Sequence, residues 1–378
     1  MQLSIRRVFY IIATIIGLFA ILIIGKVVLI PIAFALLISF ILFPVALKLE
    51  SWGANITGSA LLSILGLLLI IAGGIFLFSN QIIQLSENLS DFKEKILSVF
   101  ADVTFHINQN MGIVPDLEKG ELFERLKDWL NESASALIGQ TFSSTANTIF
   151  GLLTSIVFTF LILIYRKGLV RAFVNFYPPE KREKAFEMFK SIQQVGQQYL
   201  FGMMIIMLIL GLVNSIGLWL IGIDNPFFFG FLAGLLALIP YAGTIIGASI
   251  PILYSFVTYD SIGMPITIAI FFWFVQFIES NFLSPKIVGG NLKVNAFTSI
   301  LSIIIGASVW GVAGMILFLP FAAMFKVFCA EHEGLKPIAL LIGKSNYVTR
   351  NPKDNFLEKG YKKLKTRLSK YRAGRGKE

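Results

Sequence analysis

Two apolar stretches in the C-terminal half of the chain are each interrupted near the midpoint by residues that end or bend helices. The first covers residues 226–259 and is broken at 240–243, where the sequence reads Pro-Tyr-Ala-Gly; the second covers 295–328 and is broken between Gly306 and Gly314. A helical arm of about a dozen residues spans only about half of a roughly 30 Å hydrocarbon core. We therefore expect each stretch to be one broken helix or a re-entrant hairpin, and the glycines and the proline favour hairpins.

The interruptions also indicate what these stretches do. Backbone that leaves the helix at membrane depth is tolerated only where it lines a cavity or is buried in protein. Paired interruptions in a membrane chain are typical of the substrate site of a transporter. The sequence thus predicts a transport region over residues 224–330.

The composition of the whole chain agrees with a membrane protein. Its mean hydropathy is +0.78, and 14% of its residues are charged, whereas soluble domains have about 25%. Charge-free runs of membrane-spanning length cover residues 8–25, 27–47, 56–80, 148–165, 199–223 and 261–278. Since a second apolar run follows the first directly, we expect the first to be a retained helix rather than a cleaved signal. The fold class predicted is an all-α integral membrane protein with about six full transmembrane helices, two broken or re-entrant hairpins and an external helical-hairpin arm.

The distribution of charge predicts the orientation. The N-terminus, residues 166–198 and the chain from Lys326 onward are basic, whereas residues 81–147 carry ten acidic and five basic side chains. By the positive-inside rule the basic segments lie in the cytoplasm and the acidic insert lies outside. With two hairpins, the first then enters the membrane from outside and the second from the cytoplasm.

These patterns divide the chain into five segments. They are three transmembrane helices (1–80), an extracytoplasmic helical arm (81–147), helices four and five with a cytoplasmic amphipathic helix (148–223), the transport region (224–330) and a basic cytoplasmic tail (331–378). The arm has apolar residues at three-four spacing and packs on itself or between protomers. The tail is predicted to be either a basic amphipathic helix on the anionic inner leaflet or disordered.

Polar side chains at membrane depth mark candidate functional residues, because each is costly without a partner or a wet cavity. Gln276 and Glu279 are three residues apart, so a helix presents them on one face. Asn281 and Lys286 follow in what we expect to be a short non-helical stretch. The structural alternative is that Glu279 ends a helix at the interface or pairs with Lys286. For Asn214, inside the fifth run, a hydrogen bond between helices is the expected role.

Several function classes lack their motifs. The chain has no Gly-rich nucleotide-binding loop. It has one cysteine (Cys329) and two isolated histidines (His106 and His332). We therefore predict no catalytic residues, no bound metal, no cofactor and no enzymatic activity. The basic tail stands beside many membrane spans, so the expected partner of its charges is the lipid bilayer and not a nucleic acid.

The C-terminal half resembles the autoinducer-2 exporter (AI-2E) family, also called PerM-like permeases. The residues that carry the resemblance are Pro240 and Gly243, then Gln276, Glu279, Asn281, Pro285, Lys286, Ile287 and Gly289, and finally Trp310, Gly311, Gly314, Leu317 and Pro320. The N-terminal half matches only in the layout of its spans. The resemblance implies a multi-pass protein of the bacterial cytoplasmic membrane and a homo-oligomer, with a pentamer as the expected form.

The resemblance also implies secondary transport or facilitated export of a small polar solute. Some members are associated with quorum-sensing signals and others with exchange of sodium or lithium for protons, so an antiporter and a non-alternating channel stay open as alternatives. We expect the two hairpin tips to meet near the midplane, with Glu279 as the candidate carrier of a proton or sodium ion. The predicted pathway residues are Pro240, Gly243, Gln276, Glu279, Asn281, Pro285, Lys286, Gly306, Gly311, Gly314 and Pro320.

Overall fold

The computed structural model describes residues 5–81, 83, 149–259, 261–289 and 294–343, and every regular element among them is a helix. Within these described ranges, six helices are long and apolar enough to cross a membrane. They are Lys26–Ser51, Ile56–Leu77, Ile149–Asn175, Pro179–Ile221, Gly263–Val288 and Ala296–Glu331. The predicted fold class, an all-α integral membrane protein, is confirmed. The predicted arm, except residues 81 and 83, and the tail beyond residue 343 lie outside the described residues.

We number the helices in chain order. They are α1 (Ile5–Ile24), α2 (Lys26–Ser51), α3 (Ile56–Leu77), α4 (Ile149–Asn175), α5 (Arg182–Ile221), α6 (Pro226–Leu236), α7 (Ala242–Thr258), α8 (Gly263–Ile278), α9 (Ala296–Glu331) and α10 (Lys336–Ile342). One detail differs from the expected set of six full spans: α9 is long because it joins two arms across a break.

Helix α5 is the central element and contacts α2, α6, α8 and α9. Its contact with α2 depends on a proline. Pro44 has no backbone N–H, so the carbonyl of Phe40 loses its partner within α2. The side-chain amide of Gln197 in α5 donates to this carbonyl at 3.0 Å. The hydrogen bond that the proline removes from α2 is thus replaced by one that ties α2 to α5.

One end of the helix bundle is held together by ionic and polar pairs; we call it the basic end. There Arg166 of α4 lies 2.5 Å from Glu50 of α2, and the hydroxyl of Ser59 in α3 donates to the same carboxylate at 3.0 Å. Lys184 of α5 pairs with Glu331 of α9 at 3.4 Å. These contacts bring the ends of five helices to one side of the bundle.

The first interrupted stretch is a helical hairpin. Its two ends meet, because the hydroxyl of Tyr259 after α7 donates to the carboxylate of Asp224 before α6 at 2.8 Å. The backbone N–H of Asp224 in turn donates to that hydroxyl at 2.8 Å. The two arms pack tightly where Gly247 lies against Ala233. We call the end of the bundle that carries this pair the Asp224 end.

The second interrupted stretch, α9, is also a hairpin. Its backbone leaves the helical conformation at Gly311, which has φ 60° and ψ −137°. The two arms touch through the backbones of Gly306 and Gly314. The first end of α9 lies at α10, where the backbone N–H of Asn295 donates to the carbonyl of Ile342 at 3.0 Å. The second end lies at the basic end, where Glu331 pairs with Lys184. Of the alternatives left open by the sequence, the hairpin is therefore the one found in both stretches.

The orientation of the bundle gives a first testable prediction. We expect a cysteine at exposed Ser261, near the Asp224 end, to react with an impermeant maleimide added to intact cells. A cysteine at exposed Lys181, at the basic end, should react only after permeabilisation. Both changes are made in a Cys329→Ala background, so that the single native thiol does not contribute. Labelling of Lys181→Cys but not of Ser261→Cys in intact cells would show that the orientation is the opposite of the predicted one.

Candidate functional site

The candidate site begins where α8 changes its hydrogen-bonding pattern. Beyond Ile278 the chain continues as a π-helix over Glu279–Leu283 and again over Pro285–Gly289. The backbone N–H of Ser284 donates to the carbonyl of Glu279, five residues earlier, and Pro285 has no N–H to restore the α-helical pattern. The prediction of a short non-helical stretch is therefore wrong. The segment is helical, with turns wider than those of an α-helix. Single π-turns are rare and frequently lie at functional sites.

Glu279 lies in this widened segment and accepts two hydrogen bonds. Its Oε2 accepts from the amide of Gln276 at 2.8 Å, and its Oε1 accepts from the hydroxyl of Ser284. The side chain is half-buried. The predicted neighbourhood of Gln276 and Glu279 is thus present, while Ser284 was missed because its contact needs the five-residue spacing of a π-turn.

The other two polar residues of the motif point elsewhere. Asn281 is exposed and donates to the carbonyl of Phe277 at 2.8 Å. Lys286 is exposed, and the ion pairs recorded over the described residues join Arg166 to Glu50 and Lys184 to Glu331. The pair between Glu279 and Lys286, which the sequence left open as the structural alternative, is therefore not formed in this conformation.

The depth of Glu279 follows from the contacts between α5 and α8. Gly217 of α5 lies against Phe271 of α8, and Gly202 lies against Ile287 further along the chain. The two helices are therefore antiparallel, and a residue eight positions beyond Phe271 falls opposite about Leu210. Leu210 is at the middle of the charge-free run 199–223. Glu279 accordingly lies near the centre of the membrane-spanning part of the bundle.

The tip of the first hairpin contains an unusual backbone turn. The N–H of Ala242 donates to the carbonyl of Pro240 at 2.7 Å, and Tyr241 between them has φ 62° and ψ −56°. This is the positive-φ form of the γ-turn, which is rare and strained. The Tyr241 side chain is 66% exposed. Next to it Gly243 is buried, and a Cβ atom there would collide with the carbonyl oxygen of Leu236.

The tip of the second hairpin is built from glycines and one tryptophan. Gly306 and Gly314 are buried against each other, so neither has room for a side chain. Trp310 donates its indole N–H to the carbonyl of Leu22 in α1 at 2.9 Å, which ties the tip to the first helix. Pro320 is fully buried in the second arm.

The two tips pack against different parts of the molecule. Ala237 of the first tip packs against a cluster that contains Tyr199, Ile206 and Leu210 of α5 together with Val275, Val288 and, from the second arm of α9, Ala323. Residues Trp310 and Ala313 of the second tip pack against a cluster that contains Ala33, Leu37 and Phe40 of α2. Their direct meeting therefore stays a prediction.

The depth of the two tips is nevertheless similar. Gly234, close to the first tip, lies against Met207 of α5. Met324 lies against Gly196 of α5, and the second arm runs antiparallel to α5, so the tip at Gly311 falls opposite about residue 209. Both tips thus reach the level of Glu279, about half-way along the apolar part of α5.

Comparisons with known proteins agree with this architecture. The family model described as "AI-2E family transporter" matches residues 11–333. Among relatives, "Putative transport protein YrrI" of Bacillus subtilis (strain 168) is 28% identical over 316 residues, covering 80% of this chain and 86% of the relative. "Putative transport protein YueF" of the same organism is 26% identical, covering 79% and 82%. The chain is a multi-pass membrane protein and belongs to the AI-2E transporter family.

Proposed function

We propose that this protein is a secondary transporter that exports a small polar solute, of the autoinducer-2 type, across the cytoplasmic membrane by alternating access. The observation that carries the proposal is a hydrogen-bonded carboxylate, Glu279, in a π-helical segment at the same depth as the tips of two half-span hairpins. A carboxylate at this depth is costly and is typical of a solute or ion pathway. Half-helices that end at the midplane are typical of transporter binding sites.

The interface between α5 and the first hairpin supports movement of the hairpin. Gly230 of α6 lies directly on Ser215 of α5, and Gly234 lies on the backbone of Met207 and Gly211. Small residues let helix backbones approach closely. In the proposed mechanism the hairpin moves against α5 at this interface, while α2, α3 and α4 are held together at the basic end, where Glu50 contacts both Arg166 and Ser59.

A second candidate function is exchange of sodium or lithium for protons. Glu279 favours it, because a carboxylate can carry a proton or a cation through the membrane. The two functions differ in whether an imposed ion gradient drives the flux. In either case the proposal includes a homo-oligomer, with a pentamer as the expected form, in the bacterial cytoplasmic membrane, and a cytoplasmic tail.

The experiment that tests the proposal measures flux in proteoliposomes that contain the purified protein. Efflux of radiolabelled autoinducer-2, D-ribose, glycerol and sodium is followed with and without imposed pH and sodium gradients. We expect saturable efflux of a hydroxylated solute, and acceleration of labelled solute by unlabelled solute on the opposite side. Non-saturating flux without this counterflow would indicate a channel. Gradient-driven sodium flux without solute flux would indicate the antiporter.

A further inference from the structure

Asn214 in the middle of α5 is a buried polar side chain, 4% exposed. Among the residues that the structure describes, its Oδ1 atom has no hydrogen-bond partner. The hydrogen bond between helices that the sequence suggested for it is therefore not formed. The hydroxyl of the neighbouring Ser215 is already engaged with the carbonyl of Gly211 at 2.7 Å. An unsatisfied amide oxygen is disfavoured in any interior and more so where the surroundings are lipid.

The position of Asn214 relates it to the site around Glu279. Leu218, one turn beyond it, belongs to the same hydrophobic cluster as Phe272 of α8, and Leu210, one turn before it, belongs to a second cluster with Val275 of α8. Asn214 therefore lies on the α5 face directed toward α8, between two hydrophobic clusters. The antiparallel register of the two helices puts it opposite about Phe274 and Val275. It is thus about one helical turn from the Gln276–Glu279 pair along the membrane normal.

We propose that the Oδ1 atom of Asn214 accepts a hydrogen bond from a hydroxyl group of the transported solute. This deepens the proposed function and rests on it, because the occupant is the solute on its path between the hairpins. The site is occluded in the present conformation, so the hydroxyl reaches it when the first hairpin or α8 has shifted. An unpaired acceptor at this depth is then retained because the solute satisfies it during transport.

A hydroxyl fits the observed groups better than a cation does. A dehydrated cation at the membrane centre needs several converging oxygen atoms, but both carboxylate oxygens of Glu279 already accept from Gln276 and Ser284. The free acceptor observed on this face of α5 is one amide oxygen. A single O–H group needs only one acceptor of this kind.

The test compares the full-length wild type with Asn214→Leu, which has a similar volume but no polar atom. Because the lost acceptor is unsatisfied, we expect the Leu variant to melt about 2 °C or more above the wild type in detergent. D-ribose should raise the melting temperature of the wild type and not that of the variant. In proteoliposomes the variant should carry D-ribose about tenfold more slowly, the effect of losing one hydrogen bond.

Two controls separate the outcomes. Ser63→Ala removes a buried hydroxyl that already has its partner, the carbonyl of Ser59, and should leave ribose flux unchanged. Melting temperatures in sodium chloride and in choline chloride are compared to test for binding of a cation. A shift in melting temperature that sodium causes and D-ribose does not overturns the hydroxyl assignment. A lower melting temperature for Asn214→Leu, measurable ribose flux that is equal in both proteins, or no ribose shift in the wild type also overturns it.

The failure of this inference is distinguishable from failure of the proposed function. If the wild type carries ribose and Asn214→Leu carries it equally, the Asn214 assignment is wrong and transport stands. If the wild type carries no solute, but D-ribose still stabilises it and not the variant, the transport proposal is wrong and the binding role of Asn214 stands.

Discussion

Gly243→Leu is expected to reduce solute flux to below about a tenth of the wild-type value while membrane insertion is retained. A Cβ at this position would collide with the backbone carbonyl of Leu236, and backbone cannot move aside as a flexible side chain can. Overpacking of this kind costs about 1–3 kcal/mol, and here it acts directly on the strained turn at Tyr241. The hairpin tip must therefore change shape. Flux in proteoliposomes and the amount of membrane-inserted protein are measured together.

A matched control is available in α3. Gly73 has no atom within 4 Å of the position of a Cβ, so Gly73→Leu should leave both insertion and flux near the wild-type level. Wild-type flux in a well-inserted Gly243→Leu protein would remove the first tip from the transport pathway. Reduced flux in both variants would mean that any leucine at a membrane glycine is harmful, which would also count against a specific role of the tip.

Substitutions of Gly311 in the second tip distinguish the effect of backbone conformation from the effect of side-chain volume. Its surroundings are open, but its φ of 60° with ψ of −137° is a conformation that side chains disfavour. Gly311→Ala should therefore lose most of what Gly311→Leu loses, because the cost of about 1–3 kcal/mol comes from the backbone and not from contacts. At Gly243 the cause is steric, and at Gly311 it is conformational.

The hairpins were predictable because their causes are local in the sequence. Pro240 and the glycines at 306, 311 and 314 interrupt runs that would otherwise be continuous helices. These residues also favoured hairpins over broken spans, but the pairing that closes a hairpin was not predictable. It depends on contacts between distant residues, such as that of Tyr259 with Asp224, which no local pattern encodes.

The candidate site was predictable in part. The spacing of Gln276 and Glu279 correctly placed them on one face. Ser284 was missed, because a helical pattern with ordinary spacing does not bring residues five apart together, and the stretch with Asn281 and Lys286 was expected to be non-helical. Tyr241 was missed as well, since a positive φ at an aromatic residue follows from tertiary packing and not from the residue type.

The role of Glu279 in coupling is tested by Glu279→Gln. The structure indicates that this change preserves the local network: the new carboxamide oxygen can accept from Gln276, and its N–H can donate to Ser284, whose hydroxyl can also accept. The shape and the stability of the segment should therefore stay close to those of the wild type. The variant cannot carry a proton or balance a cation. If Glu279 couples transport, we expect solute-for-solute exchange to continue while the acceleration by an imposed pH or sodium gradient is lost entirely.

The control for this experiment is Lys286→Gln. Lys286 is exposed and forms no ion pair with Glu279 in this conformation, so its neutralisation should leave the gradient response intact. Exchange and gradient-driven flux are measured in the same proteoliposome preparation, with thermal melting in detergent alongside. A gradient response that survives in Glu279→Gln removes the coupling role and leaves the carboxylate as an acceptor that holds Gln276 and Ser284 in the π-helical segment. Loss of the response in both variants would instead point to the net charge of the segment, because the two residues share no contact through which they could act as a pair.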